Sequence, residues 1–106
     1  MVAKQFEVYL IDLGATVGSE MHKFRPCVVV SPDEMNRHIA TVIVAPLTTK
    51  RRKYPSRVDC HFDGKLGQVV LDQIRTLDKS RLTKCLGAVP VTTQKSIKQV
   101  LAQMFG

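Results

Sequence analysis

The run Ala40-Thr-Val-Ile-Val-Ala-Pro-Leu47 passes without a break into Thr48-Thr-Lys-Arg-Arg-Lys53. Its first half is rich in Val and Ile, which fit a pleated, buried surface. It reads as a buried strand expected to end near Pro46, since proline cannot donate to a ladder. The far end delivers Thr48 and Thr49 to the start of a basic run, Lys50, Arg51, Arg52 and Lys53. Upstream, Pro26-Cys-Val-Val-Val-Ser31 is again continuous, apolar and too short for a helix. Bounded by Pro32, it reads as a buried central strand.

Working outward, Glu7 to Leu13 (EVYLIDL) is a third strand that stops at Gly14, with Val8 and Leu10 or Tyr9 and Ile11 as its core face. Gly14 to Phe24 has two glycines, small hydroxyl residues and no sustained period, which marks a long mobile loop. Ser31-Pro32-Asp33-Glu34 is a turn or short helical start that Ser31 is placed to cap. Arg57 to Phe62 alternates like a half-exposed strand, and Asp63-Gly64 turns it into the apolar strand Gly67 to Leu71, so the two form a hairpin. From Thr92 the period changes. Ile97, Val100, Leu101, Met104 and Phe105 share one face of a terminal helix, with Thr92 or Thr93 as its N-cap. Short strands, one terminal amphipathic helix and no alternation of strand and helix predict a mainly β protein, a curled antiparallel sheet or small barrel closed by the helix.

A chain of 106 residues suits one compact domain over 1–106. With 44% hydrophobic and 24% charged residues, the composition excludes a disordered tail or a collagen-like chain. No apolar run approaches the roughly 18 residues of a membrane span. Met1 to Glu7 has acid and amide where a signal peptide needs an apolar stretch, so the expectation is a cytoplasmic protein without a membrane partner. Sixteen Lys and Arg against nine Asp and Glu give a net charge of +7, which favours an anionic partner, nucleic acid first. Many small basic proteins bind no nucleic acid, but here the charge is clustered. Beyond the basic run, Lys79, Arg81, Lys84, Lys95 and Lys98 follow Asp78 with no acid among them.

Cys27, Cys60 and Cys85 form no CxxC and meet no His pair at ligand spacing, so a zinc site is not expected and all three read as packing residues in a reducing compartment. There is no Gly-rich phosphate loop, GxSxG elbow, HExxH or carboxylate cluster, and no metal or cofactor is expected. What remains is a loop carrying Glu20, His22 and Arg25, the Thr48-Thr49 pair before the basic run, and Asp72-Gln73-Ile74-Arg75-Thr76. Taken singly, each has a bland reading: a surface arginine, a strand-end threonine, a solvated glutamate.

Jointly they carry a resemblance. VGSE followed by FRPCVVVS over 17–31, VAPLTT over 44–49 and VVLDQIRTLDKSRL over 69–82 resemble the MazF/PemK family of toxin endoribonucleases. The resemblance implies an SH3-like small barrel of CcdB/PemK type with a C-terminal helix. It also implies a metal-independent, sequence-selective nuclease acting mainly on single-stranded mRNA, a homodimer, and silencing by an acidic antitoxin of MazE type. The chemistry implied is attack of a ribose 2′-OH on the adjacent phosphorus, which needs a proton acceptor, a proton donor and hydrogen-bond donors aimed at the phosphate charge.

On that resemblance Arg25 and Thr48 are catalytic, with Glu20 as base or as orienter of Arg25. Ser19, Thr49, Lys50, Arg51, Arg52, Asp72, Gln73 and Arg75 are RNA-binding, and Tyr54 is the nearest aromatic for stacking a base. His22, His38 and His61 are left out. The PemK branch has an Arg two places before this Asp and a His before the loop Glu, where this chain has Val70 and Ser19. That prefers the Arg25/Thr48 arrangement to Asp72 as base. Gln5-Phe6-Glu7 also departs from the family's usual Arg-Gly-acid start. Two other functions suit the same composition: a CcdB-type poison of DNA gyrase, and an SH3-like RNA-binding module that cuts nothing.

Overall fold

Antiparallel pairing begins between β1 (Glu7–Ala15) and β2 (His22–Val29), from Val8↔Val28 to Ala15↔His22, in a computed structural model that describes residues 2–15 and 22–106. The short helix α1 (Asp33–His38) links β2 to β3 (Thr41–Thr48), and β4 (Arg57–Phe62) and β5 (Lys65–Val70) form the expected hairpin. Its turn residues Asp63 and Gly64 both have positive φ, 52° and 73°, as a tight two-residue hairpin requires. A 3-10 turn at Leu71–Gln73 leads to β6 (Arg75–Asp78), β7 (Leu82–Ala88) and the terminal helix α2 (Val91–Phe105).

The sheet order is β4-β5-β3-β2-β1-β7, with β6 also on β3. On one flank β3 pairs first with β6, at Thr41 to Val44, and then with β5, at Leu47 and Thr48. That change of partner splits and curls the sheet into the half-barrel that α2 closes.

Both faces of the central strands are buried, which explains their unbroken apolar runs. Val8, Val28, Val30, Ala45, Val69 and Leu71 pack toward Ile97 of α2. The alternate residues Tyr9, Ile11, Cys27, Val29, Val42 and Val44 form a second core with Leu77. The two candidate faces of the first strand are therefore both core faces, with Leu10 only half-buried.

Several boundaries differ from expectation. β1 continues through Gly14 (φ 84°) to Ala15 over an irregular register, and β2 starts at His22, so strand occupies both ends of the expected loop. Its middle, with Ser19 and Glu20, lies outside the described residues. Pro26 lies inside β2 and Pro46 inside β3. Ser31 does not cap α1, whose N-cap is Pro32 with no side-chain bond, and α2 likewise starts at Val91 behind Pro90 rather than behind a threonine. Thr93 is buried, while Met104 and Phe105 at the end of the apolar face are exposed. Cys27 and Cys60 are buried as expected, but Cys85 is exposed, because β7 is an edge strand open along most of its length. Among the described residues, no helix is long and apolar enough to cross a membrane.

Candidate active site

The β2–β3 ladder ends at Cys27↔Pro46. Neither Pro26 nor Pro46 has an N–H to donate, so the pairing goes no further and the strands part. Leu47 and Thr48 turn to Val69 and Gln68 of β5 instead. At this opening a cleft of about 180 Å³ is lined by Arg25, Thr48, Lys50, Arg52, Arg57, Val70 and Gln73. Among the described residues the lining holds four cations and no carboxylate. A second depression shares Arg25 and Gln73 and adds Arg75, and a third, mostly apolar, shares Thr48 and adds Thr49, Leu47 and Phe62.

The cleft is built by local rules. Thr48 Oγ1 accepts from Lys50 N at 3.1 Å, a threonine turn that ends the strand and starts the basic run. Gln68 then fixes that run. Buried on β5, its Oε1 accepts from Arg52 N at 2.9 Å, and its Nε2 donates to Arg52 O and Asp59 Oδ1, each at 3.0 Å. Gly67 lets β5 come close: a Cβ there would stand 2.5 Å from the Thr48 carbonyl oxygen. Beneath the opening, burial pushes the Cys27 thiol up to about 11, with the nearby Arg25 and Arg75 charges pulling against it.

Asp72, expected from the sequence to bind RNA, is absent from the cleft lining and holds Ser56 and Arg57 instead. Ser56 Oγ and Arg57 Nε both donate to its Oδ1 at 2.9 Å. Desolvation raises its carboxyl, but the bonds from Arg57 and Ser56 outweigh that and hold it below the usual carboxylate range.

Of the residues singled out from sequence, Arg25, Thr48, Lys50, Arg52 and Gln73 meet in one cleft, with Arg75 and Thr49 in the adjoining depressions. Arg51 is 4.0 Å from Asp59 instead. Tyr54 is exposed and carries the Arg57 guanidinium over its ring. Arg57 went unremarked because no local motif surrounds it. The available signal was the hairpin, whose Asp63-Gly64 turn sets Arg57 opposite Val70 and so beside Asp72. Among the described residues, no group of three or more His, Cys, Asp and Glu could hold a metal ion.

A curled antiparallel sheet closed by a C-terminal helix, with a cation-lined cleft where its central strands part, defines a small β protein built to receive a polyanion. More specifically, residues 4–105 match the model of the PemK-like, MazF-like toxins of type II toxin-antitoxin systems, and the chain belongs to that family. It is 38% identical to endoribonuclease EndoA of Bacillus subtilis over 89 residues, covering 78% of this chain and 77% of that protein. It is 37% identical to endoribonuclease MazF of Staphylococcus saprophyticus over 106 aligned residues, covering 94% and 88%. Among solved structures, a mycobacterial endoribonuclease in complex with its cognate antitoxin superposes with a TM-score of 0.81 at 34% identity, covering 95% of this chain and 92% of that one.

Proposed function

We infer that this toxin is a metal-independent endoribonuclease that cuts single-stranded RNA, mainly mRNA, at selected sequences in the cytoplasm and so stops translation. The observation that carries this reading is the convergence of Arg25 and Thr48 on one cleft whose described lining holds four cations. The family and the relatives named as endoribonucleases support it.

In this mechanism the 2′-oxygen bonds to phosphorus as its proton leaves. The P–O5′ bond breaks as O5′ takes a proton, giving a 2′,3′-cyclic phosphate and a 5′-OH end. Arg25 stabilises the charge growing on the non-bridging oxygens, and the Thr48 hydroxyl holds one of them. Glu20 accepts the 2′ proton or orients Arg25. Lys50 and Arg52 neutralise flanking phosphates, and Ser19, Thr49, Arg51, Gln73 and Arg75 bind the strand on either side. Asp72 braces the site through Arg57.

The protein works as a homodimer, which protects unpaired strand edges. An acidic MazE-type antitoxin silences it by competing for the cationic groove, and the antitoxin complex of the mycobacterial relative supports that partner.

The test is incubation of the purified protein with single-stranded RNA and DNA in EDTA. Cut RNA with cyclic phosphate and 5′-OH ends, and intact DNA, is the expected result. RNA bound but uncut would leave a binding module, and activity lost to chelator and restored by zinc or magnesium would overturn the mechanism.

A further inference from the structure

Arg57 has the surroundings of an aimed group rather than of a surface arginine. Its side chain is only 10% exposed. Nε donates to Asp72 Oδ1 at 2.9 Å, an oxygen that Ser56 Oγ also holds at 2.9 Å. The guanidinium carbon lies 5.1 Å from the Tyr54 ring centroid, within cation–π range. These contacts take up one edge and one face of the fork.

The terminal nitrogens Nη1 and Nη2 make no hydrogen bond among the described residues. No buried side-chain nitrogen there is left without a partner, so this pair is not sealed from solvent. The space it meets is the cleft shared with Arg25 and Thr48. A guanidinium pinned at Nε and on one face presents its remaining edge as two parallel N–H donors, the geometry that fits two phosphate oxygens. Charge points the same way. Among the described residues Asp72 supplies one negative charge beside four cations, and like charges in so small a space repel one another and favour an incoming anion.

We propose that Arg57 is a catalytic residue of the cleft, a second guanidinium on the phosphate that Arg25 and Thr48 hold, with Asp72 and Tyr54 as positioning residues that aim its terminal nitrogens. This rests on the endoribonuclease reading above.

The test uses the full-length wild-type protein and Arg57→Lys, which keeps the charge and can still pair with Asp72 but lacks the fork. A short single-stranded RNA spanning a mapped cut carries either an ordinary phosphate or one stereoisomer of phosphorothioate at that bond. Expected for Arg57→Lys, at an unchanged melting temperature, is a fall of about 10-fold or more in the rate at saturating RNA, smaller than the roughly 100-fold of a lost oxyanion donor because the charge is kept. The sulfur penalty at one non-bridging position should also shrink relative to wild type, which a purely structural residue would not cause.

If the lysine variant does not fold, side-chain NMR of 15N-arginine-labelled wild type decides. The Arg57 Nη signals should shift on adding the same RNA made uncleavable by a 2′-deoxy ribose. Wild type that cuts RNA, with an unchanged rate and sulfur penalty in Arg57→Lys or an unmoved Arg57 signal, overturns this proposal alone. Wild type that cuts no RNA overturns the reading beneath it as well.

Discussion

The two ends of the β2–β3 ladder treat polar groups in opposite ways. At the closed end Ser31 and Asn36 are buried and tied together: Ser31 Oγ donates to Asn36 Oδ1 at 2.5 Å and accepts from Ile43 N at 3.1 Å, while Asn36 Nδ2 donates to Ser31 O at 3.0 Å. Lys79 Nζ adds a bond to the Asn36 carbonyl. At the open end, among the described residues, the Arg25 side chain has no hydrogen bond or ion pair and the Thr48 hydroxyl takes only the Lys50 amide. Satisfied polar groups hold a fold together, whereas donors left open on a rigid frame are ready for a charge that arrives from outside.

The largest effect should separate the two ends. Arg25→Ala and Thr48→Ala are each expected to lower the RNA cleavage rate about 100-fold or more, roughly 3 kcal/mol, with little change in melting temperature. Initial rates at saturating RNA beside thermal melts check this, and loss of folding in step with loss of rate would break the contrast. At the closed end, Asn36→Ala leaves buried partners unpaired and should cost about 1–3 kcal/mol of stability in urea unfolding. The rate per folded molecule should stay at the wild-type value.

Acid sharpens the comparison through Asp72. Its carboxyl is held low, so the protein gains stability from it above the unfolded carboxyl value of about 3.9 and loses that gain as pH falls through the lower folded value. The difference in unfolding midpoint between wild type and Asp72→Asn should be constant near neutrality and shrink below about pH 4. A difference that grows in acid would contradict the Arg57 pairing. The smallest effect concerns the thiols. Exposed Cys85 should react promptly with a thiol reagent, while Cys27, buried beneath the open end with its thiol pushed up to about 11, should wait for unfolding. Cys85→Ser should shift stability by no more than about 0.5 kcal/mol.

Legibility in the sequence followed the same division. The Val-rich central strands and the amphipathic helix announced themselves, because burial on both sheet faces, or along one helix face, leaves a compositional mark. β7 did not, since an edge strand reading Leu-Thr-Lys-Cys-Leu-Gly-Ala is mostly exposed, and β6 is four residues in a polar stretch. The prolines misled on strand ends, because β3 changes partner near Pro46, where a missing N–H costs little. Arg25 and Thr48 stood out only through a resemblance spread over the chain. Arg57 needed the hairpin register, since 15 residues separate it from the carboxylate it holds.

Gly67 has a consequence in genetics. A cell making such a toxin without its antitoxin survives by mutating it, and a screen of survivors maps the positions the toxin cannot spare. Residues with reactive groups are the obvious expectation in such a map. Gly67 should join them although it has no side chain at all: any replacement carries a Cβ to within 2.5 Å of the Thr48 backbone oxygen, which belongs to main chain and cannot swing aside. A lineage of this toxin is thus confined at one position by the absence of an atom.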